Sequence, residues 1–393
     1  MIAVIADDFT GAAEIGGVGL KYGLDVVIET KFEENVSVDL WIIAADTRSL
    51  PEHEASEEIK KIATQLQAKN PKYIFKKLDS VLRGNIAAEI DAQLEALGKK
   101  RAIIIAGNPS FGRTIENGLY KVNAVPLEKT SFSEDPDFPV QSSNVLNIVK
   151  SVGSSIYSLP VDTKIPDSGI IIGDVKDQDE MEYWAAYIDE DTMAAGGAGF
   201  FDVLLGNKHQ EKPSECRECL KLGDKTLFIF GSKFPKSHKL PMGLKEEEIV
   251  RLNMPNEIYD KKDFQPEFIQ IWAGQVVAEL EAGKKVIITI EQDYSVEMNL
   301  SARIRKNIAE LVKIVSETTE LTDLLIEGGA TTSEILRSLD IVKLFPSKLL
   351  HPGIIQLKPG KYPELTITTK PGSYPWPDNV ILNGTDKEKL EKL

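Results

Sequence analysis

Residues 2–17 read IAVIADDFTGAAEIGG, and this stretch decides the fold. Ile2–Ala6 is an unbroken apolar run of strand length, two aspartates follow, and Thr10-Gly11 opens a helix-forming stretch. Strand, polar turn and helix make the repeating unit of an α/β protein, and the pattern continues outward. Further strand candidates are Val26–Glu29, Leu40–Ala45, Tyr73–Lys76, Arg101–Ala106 and Gly169–Gly173. Between them, Glu52–Lys69 carries apolar residues at Ile59, Ile62, Ala63 and Leu66. Val81–Leu97 carries them at Leu82, Ile86, Ile90, Leu94 and Leu97. Spacings of three and four put these side chains on one face, which predicts helices covering a sheet. Short β-branched runs alternating with helices predict mostly parallel strands.

Residues 207–225, NKHQEKPSECRECLKLGDK, are polar and read as a linker. A second α/β pattern follows. Its strands are expected at Thr226–Phe230, Lys285–Ile290, Leu321–Ile326 and Leu365–Thr369, and its helices at Glu267–Ala282 and Leu300–Thr318. The sequence therefore predicts two α/β domains with mostly parallel sheets, 1–206 and 226–393, joined by 207–225. A chain of 393 residues is long enough for two cores.

The formal net charge is −15, which argues against binding nucleic acid or an anionic membrane, since both require a positive field. The longest apolar runs are of strand length, short of the roughly 20 residues needed to span a bilayer. The N-terminus lacks the basic region of a signal peptide, so a cytoplasmic protein is expected. Cys216 and Cys219 form a lone Cys-x-x-Cys, read as incidental thiols on a surface helix.

In open α/β sheets, ligands bind beyond the carboxyl ends of strands. Asp7 and Asp8 stand at such an end. Asp8 could act as a general base toward a hydroxyl and Asp7 could hold a hydroxyl or a metal, or Asp8 or Thr10 could simply cap the helix. The segment KKLDSVLRGNIAAEI places Lys76, Lys77, Asp79, Ser80, Arg83 and Asn85 at a second strand end. That set suits a carboxylate or phosphate, although a surface helix capped by Asp79 or Ser80, with Arg83 pairing to Glu89 or facing solvent, would explain it too. After Ile105 a long loop is expected, with Arg113 and Asn117 as polar candidates.

In the C-terminal half, DLLIEGGATTSEIL reads as a strand, Gly328-Gly329, then Ala330, Thr331, Thr332 and Ser333 opening a helix. Glycines let a phosphate approach the backbone, and the helix start supplies N–H donors. Loops around Ser232 and around Gly372 and Ser373 have a similar composition, and the three together suggest a nucleotide-phosphate site. No Gly-x-x-x-x-Gly-Lys-[Ser/Thr] loop is present and no Gly-x-Gly-x-x-Gly follows a strand. The four histidines show no metal-ligand spacing.

IADDFTGAAEIG, KKLDSVLRGNIAAEI, GRTIENGLYKVNAVPLEKTSFSEDPDFPV, FIFGSKFPKSHKL, IEGGATTSEIL and TTKPGSYPWPDNVI follow one another in this order. Together they resemble the four-carbon acid sugar kinase family over essentially the whole chain. The resemblance implies an N-terminal sugar-acid domain, a C-terminal ATP domain and an active site in the cleft between them. It also implies transfer of the ATP γ-phosphate, with Mg²⁺, to the terminal hydroxyl of threonate, erythronate or 3-oxo-tetronate. It places catalysis on Asp8 and Asp7, and acid binding on Lys77, Asp79, Ser80, Arg83, Asn85 and Arg113. The nucleotide falls to Ser232, Gly328, Gly329, Ala330, Thr331, Gly372 and Ser373. Metal ligands and oligomeric state stay open, with a homodimer as the first expectation.

Four departures from the family pattern are visible: Val81 for Thr, Ala124 for Gly, Ala330 for an acidic residue, and Pro371-Gly-Ser-Tyr-Pro-Trp-Pro for a Gly-rich run. They keep two further readings in view, a kinase of another small polyol acid and a catalytically reduced nucleotide-dependent sensor.

Overall fold

A computed structural model describes residues 1–33, 36–135, 138–150, 153–210, 220–230, 244–259, 265–290, 300–372, 374 and 376. Ser232, Ser373, Cys216 and Cys219 lie outside the described residues. The chain divides into two compact units, Met1–Lys212 and Pro213–Leu393. Among the described residues no helix is long and apolar enough to cross a membrane.

The N-terminal unit runs β1 (Ile2–Ala6), α1 (Phe9–Lys21), β2 (Val26–Glu29), β3 (Leu40–Ala44), α2 (Glu52–Gln67), β4 (Ile74–Lys77), α3 (Ile86–Leu97) and β5 (Arg101–Ile105). It continues with β6 (Arg113–Glu116), β7 (Leu119–Val122), β8 (Val125–Pro126), α4 (Val145–Ile148) and β9 (Ile156–Leu159). The last elements are β10 (Gly169–Gly173), α5 (Gln178–Ala185), β11 (Thr192–Gly196) and α6 (Ala198–Gly206). Its main sheet has the order β2-β3-β1-β4-β11-β5-β10-β9, every adjoining pair parallel. β1, β3 and β10 are buried along their whole length, as continuous apolar strands are when both faces of a sheet are covered. α2 lays Ile59, Ile62, Ala63 and Leu66 against Ala3, Ile5, Trp41 and Ile43. α3 lays Ile86, Ile90 and Leu94 against Ala102, Ile104 and Ile170. From β1 the chain steps to one side, through β2 and β3, and then crosses β1 to reach β4 on the other. The strand order reverses at β1, and such a reversal opens a crevice beyond the carboxyl ends of the strands.

The helix expected over Val81–Leu97 starts only at Ile86. Leu82 (φ 62°) and Gly84 (φ 91°) are left-handed, and Asp79 Oδ2 takes the N–H groups of Val81 and Arg83 that a helix would have used. The expected long loop after Ile105 contains the antiparallel sheet β6-β7-β8. Asn117 and Gly118, with φ of 51° and 71°, form its two-residue hairpin turn. The Asp174 carboxylate accepts both of their N–H groups, so Asn117 is a turn residue.

The C-terminal unit runs β12 (Thr226–Ile229), β13 (Ile249–Asn253), α7 (Asn256–Tyr259), α8 (Pro266–Glu281), β14 (Lys285–Thr289) and α9 (Leu300–Thr318). It ends with β15 (Asp323–Glu327), α10 (Gly329–Ser338), β16 (Lys343–His351), β17 (Ile354–Pro359) and β18 (Thr366–Lys370). The order β13-β14-β12-β15-β18-β17-β16 is parallel as far as β18, and β17 and β16 add an antiparallel hairpin. Both units are therefore α/β with mostly parallel sheets.

Candidate active site

The carboxyl ends of β1, β3 and β4 bring Asp7, Asp8, Arg48, Lys77, Asp79 and Arg83 together. Arg48 is the hub. Its Nε donates to Asp7 Oδ2 at 2.8 Å, its NH1 lies 2.8 Å from Asp8 Oδ2, and Asp79 Oδ1 is 3.5 Å away. Burial works against the Arg48 charge, but the three carboxylates outweigh it and hold the guanidinium firmly protonated. Burial pushes the Asp8 carboxyl above its usual range, Arg48 pulls it back, and Asp7 adds to the rise. Asp8 is also the N-cap of α1, its Oδ1 accepting the Gly11 N–H at 2.7 Å. The capping reading and the catalytic one thus fall on the same residue, using different oxygens.

Two glycines make this crowding possible. A Cβ on Gly11 would lie 2.9 Å from Asp8 Oδ1 and 3.1 Å from Lys77 Nζ. One on Gly84 would lie 2.9 Å from Arg48 Cγ, at a φ of 91° that already favours glycine. Asn85 donates to Leu50 O at 2.8 Å, tying down the loop that carries Arg48. Ser80 contributes its carbonyl, which accepts the buried Tyr120 hydroxyl.

Lys76 and Lys77 alternate across β4, as a strand requires. Lys76 is fully buried and pairs with Glu89 at 2.6 Å. Lys77 points the other way, donating to Leu78 O at 2.9 Å and lying 3.4 Å from Glu14. Arg83 does not pair with Glu89. It grips Asp79 through Nε (2.9 Å) and NH2 (2.8 Å), and its NH1 reaches Asp135 at 2.6 Å. Burial alone would raise Asp79, but Arg83 and Arg48 reverse this and hold the carboxyl far below the usual range. Arg113 joins the group through Phe132: the Arg83 and Arg113 guanidiniums lie 5.5 and 5.9 Å from the ring centroid.

In the C-terminal unit, β15 ends at Glu327 and Gly328 turns the chain with a φ of 94°. Among the described residues no side chain caps α10, and Ala330 is exposed in its first turn, so the helix start there presents bare backbone. Thr331 is buried beside it. The Gly328 N–H donates to Lys370 O at 2.9 Å, which sets this turn beside the one through Gly372. Beneath them, the fully buried Lys370 and Glu327 pair at 3.2 Å and Trp376 Nε1 donates to Glu327 at 2.7 Å. Among the described residues no cluster of three or more His, Cys, Asp or Glu side chains is placed to hold a metal ion.

Arg48 and Asp135 are residues of the site that the sequence alone does not single out. Arg48 had a usable signal, since it follows β3 as Asp8 follows β1. Asp135 had none, because only the fold brings it to Arg83.

The carboxylates and guanidiniums are massed beyond the carboxyl ends of a parallel α/β sheet, the place where such sheets take their ligands. The chain belongs to the sugar-binding N-terminal domain family, whose profile matches residues 2–204. It is 36% identical over 149 residues to a D-threonate kinase of Salmonella typhimurium, a match covering 37% of this chain and 35% of that one. It therefore spans about a third of that relative. A 3-oxo-tetronate kinase of Brucella melitensis is 24% identical over 406 residues, covering 95% of this chain and 92% of the relative. The crystal structure of Haemophilus influenzae protein HI1011 has the same fold, with a TM-score of 0.68 at 20% identity over 96% of this chain and 98% of that one.

Proposed function

We propose that the chain is an ATP-dependent kinase acting on the terminal hydroxyl of a four-carbon sugar acid of the threonate, erythronate or 3-oxo-tetronate type. The names of its relatives support the reaction class. The observation that carries the acceptor side is the half-buried Asp8, held by Arg48 within a cluster that also holds Lys77 and Arg83.

In this reading the N-terminal unit takes the acid. Lys77 and Arg83 attract its carboxylate, offsetting the −15 background locally. Asp7 Oδ1, buried and without a hydrogen-bond partner among the described residues, accepts a substrate hydroxyl. Asp8 takes the proton of the terminal hydroxyl as its oxygen bonds to the γ-phosphorus. The bond from that phosphorus to the bridging oxygen breaks and ADP leaves. A carboxyl raised by burial suits a group that must accept the proton and then release it. The C-terminal unit takes the nucleotide, its phosphates meeting the uncapped start of α10 and the turns at Gly328 and Gly372. Mg²⁺ carried by the nucleotide phosphates would neutralise charge on the transferring phosphoryl group.

The test is ³¹P NMR after incubation with ATP and D-threonate or D-erythronate. A phosphomonoester signal coupled to a CH₂ group supports the reading. ATP consumption without a new ester would contradict it.

A further inference from the structure

We infer that Asp135 is a specificity-determining residue of the acid site, occupying on Arg83 the place that the substrate carboxylate must take. The inference rests on the proposed reading of Arg83 as the carboxylate clamp.

Arg83 carries two carboxylates of different standing. Asp79 is four residues away, 4% exposed, and also accepts the N–H groups of Val81 and Arg83, each at 3.1 Å. It grips the guanidinium along one edge with two parallel bonds, so it fixes orientation and cannot leave without unsatisfying backbone donors. Asp135 arrives from 52 residues away and touches the other edge, NH1 to Oδ2 at 2.6 Å, while its Oδ1 accepts the Phe138 N–H at 2.8 Å. The turn before it, Ser131–Glu134, brings Phe132 against Arg83 and Arg113. The edge held by Asp135 is the one a planar carboxylate would use.

Two carboxylates on one guanidinium leave the group net negative. A third approaches against both unless Asp135 gives way. A plain anion gains only the exchange of one carboxylate for another. A hydroxy acid also gains hydrogen bonds to the aspartates beyond β1, so it can displace Asp135 where a simple carboxylate cannot. Asp135 thereby trades affinity for selectivity.

The test is calorimetric titration of the full chain and its Asp135→Asn and Asp135→Ser variants with D-threonate, with acetate, and with threitol, which has the same carbon chain but no carboxylate. Both variants should bind D-threonate about tenfold more tightly, gain measurable acetate binding, and bind threitol unchanged. Unchanged or weaker D-threonate binding by a variant with wild-type circular dichroism would overturn the inference. If the wild-type chain bound D-threonate only as weakly as threitol, the carboxylate clamp itself would fall, which is a separate and recognisable failure.

Discussion

Arg48 and Asp8 meet at 2.8 Å, each placed by the loop after a different strand of the N-terminal sheet. The same guanidinium reaches Asp7 at 2.8 Å and Asp79 at 3.5 Å, so one half-buried cation is shared among three carboxylates, of which Asp7 and Asp79 are buried. Neither β1 nor β3 carries the site alone; it exists because β1 and β3 are neighbours in register.

Replacing Arg48 with Met should leave that cluster uncompensated. Stability should fall by about 3–5 kcal/mol, as when one partner of a buried pair is removed. The Asp8 carboxyl, already raised, should rise further, so the acidic limb of the kcat profile should move to higher pH. Denaturant unfolding and a pH–rate profile check both. An unmoved limb would separate Asp8 from the titrating base.

Asp79 and Asp8 should act oppositely on stability as pH changes. The folded Asp79 carboxyl lies below its unfolded value of 3.8, so its contribution is present above that value and is lost as pH falls below about 4. Asp8 is raised, so its contribution is full below 3.8 and is lost as pH rises through the folded value. Asp79→Asn should be less stable than wild type at neutral pH by about 3 kcal/mol, with the gap closing in acid. Urea midpoints from pH 2.5 to 7 measure it.

Gly11→Ala separates folding from function. Alanine favours a helix over glycine by roughly 1 kcal/mol. Its methyl, however, would crowd Asp8 Oδ1 and Lys77 Nζ. Tm should change little while kcat/KM falls about 100-fold. Gly274→Ala, on the exposed face of α8 with nothing near its Cβ, should raise stability by about 0.4–1 kcal/mol and leave activity unchanged.

Much of this fold can be read along the chain, because its strands are apolar on both faces and its helices are one-sided. β1, β2 and α9 begin and end at the residues expected from their patterns. β11 was not legible: TMAAG lacks the bulky β-branched residues that mark its neighbours. Its last position is glycine because the neighbouring chain passes close by: a Cβ on Gly196 would lie 2.0 Å from Ile105 O. The β6–β7 hairpin did carry a signal, Asn117-Gly118, that the length of the surrounding polar stretch obscured. In the site, residues at strand ends were visible, and partners defined by tertiary approach, such as Asp135 for Arg83, were not. α3 starts later than its periodicity implies because Asp79 captures local N–H groups, an outcome that side-chain chemistry decides and hydrophobic periodicity does not register.

Gly328→Ala should strain a backbone held at a φ of 94° by about 1–3 kcal/mol. The strain falls at the start of α10, so the KM for ATP should rise several-fold while affinity for the acid stays unchanged. Steady-state kinetics with each substrate varied in turn distinguishes the two. An effect confined to the acid would contradict the assignment of the nucleotide to this turn.

The most direct test of the central claim is a coupled ADP-release assay with Mg·ATP across C3 to C6 sugar acids, including both threonates and both erythronates. The account predicts acid-dependent ADP release with one four-carbon acid well above all others, abolished by Asp8→Asn. No acid-dependent release with any of the four-carbon acids, from folded protein that binds ATP, would contradict it.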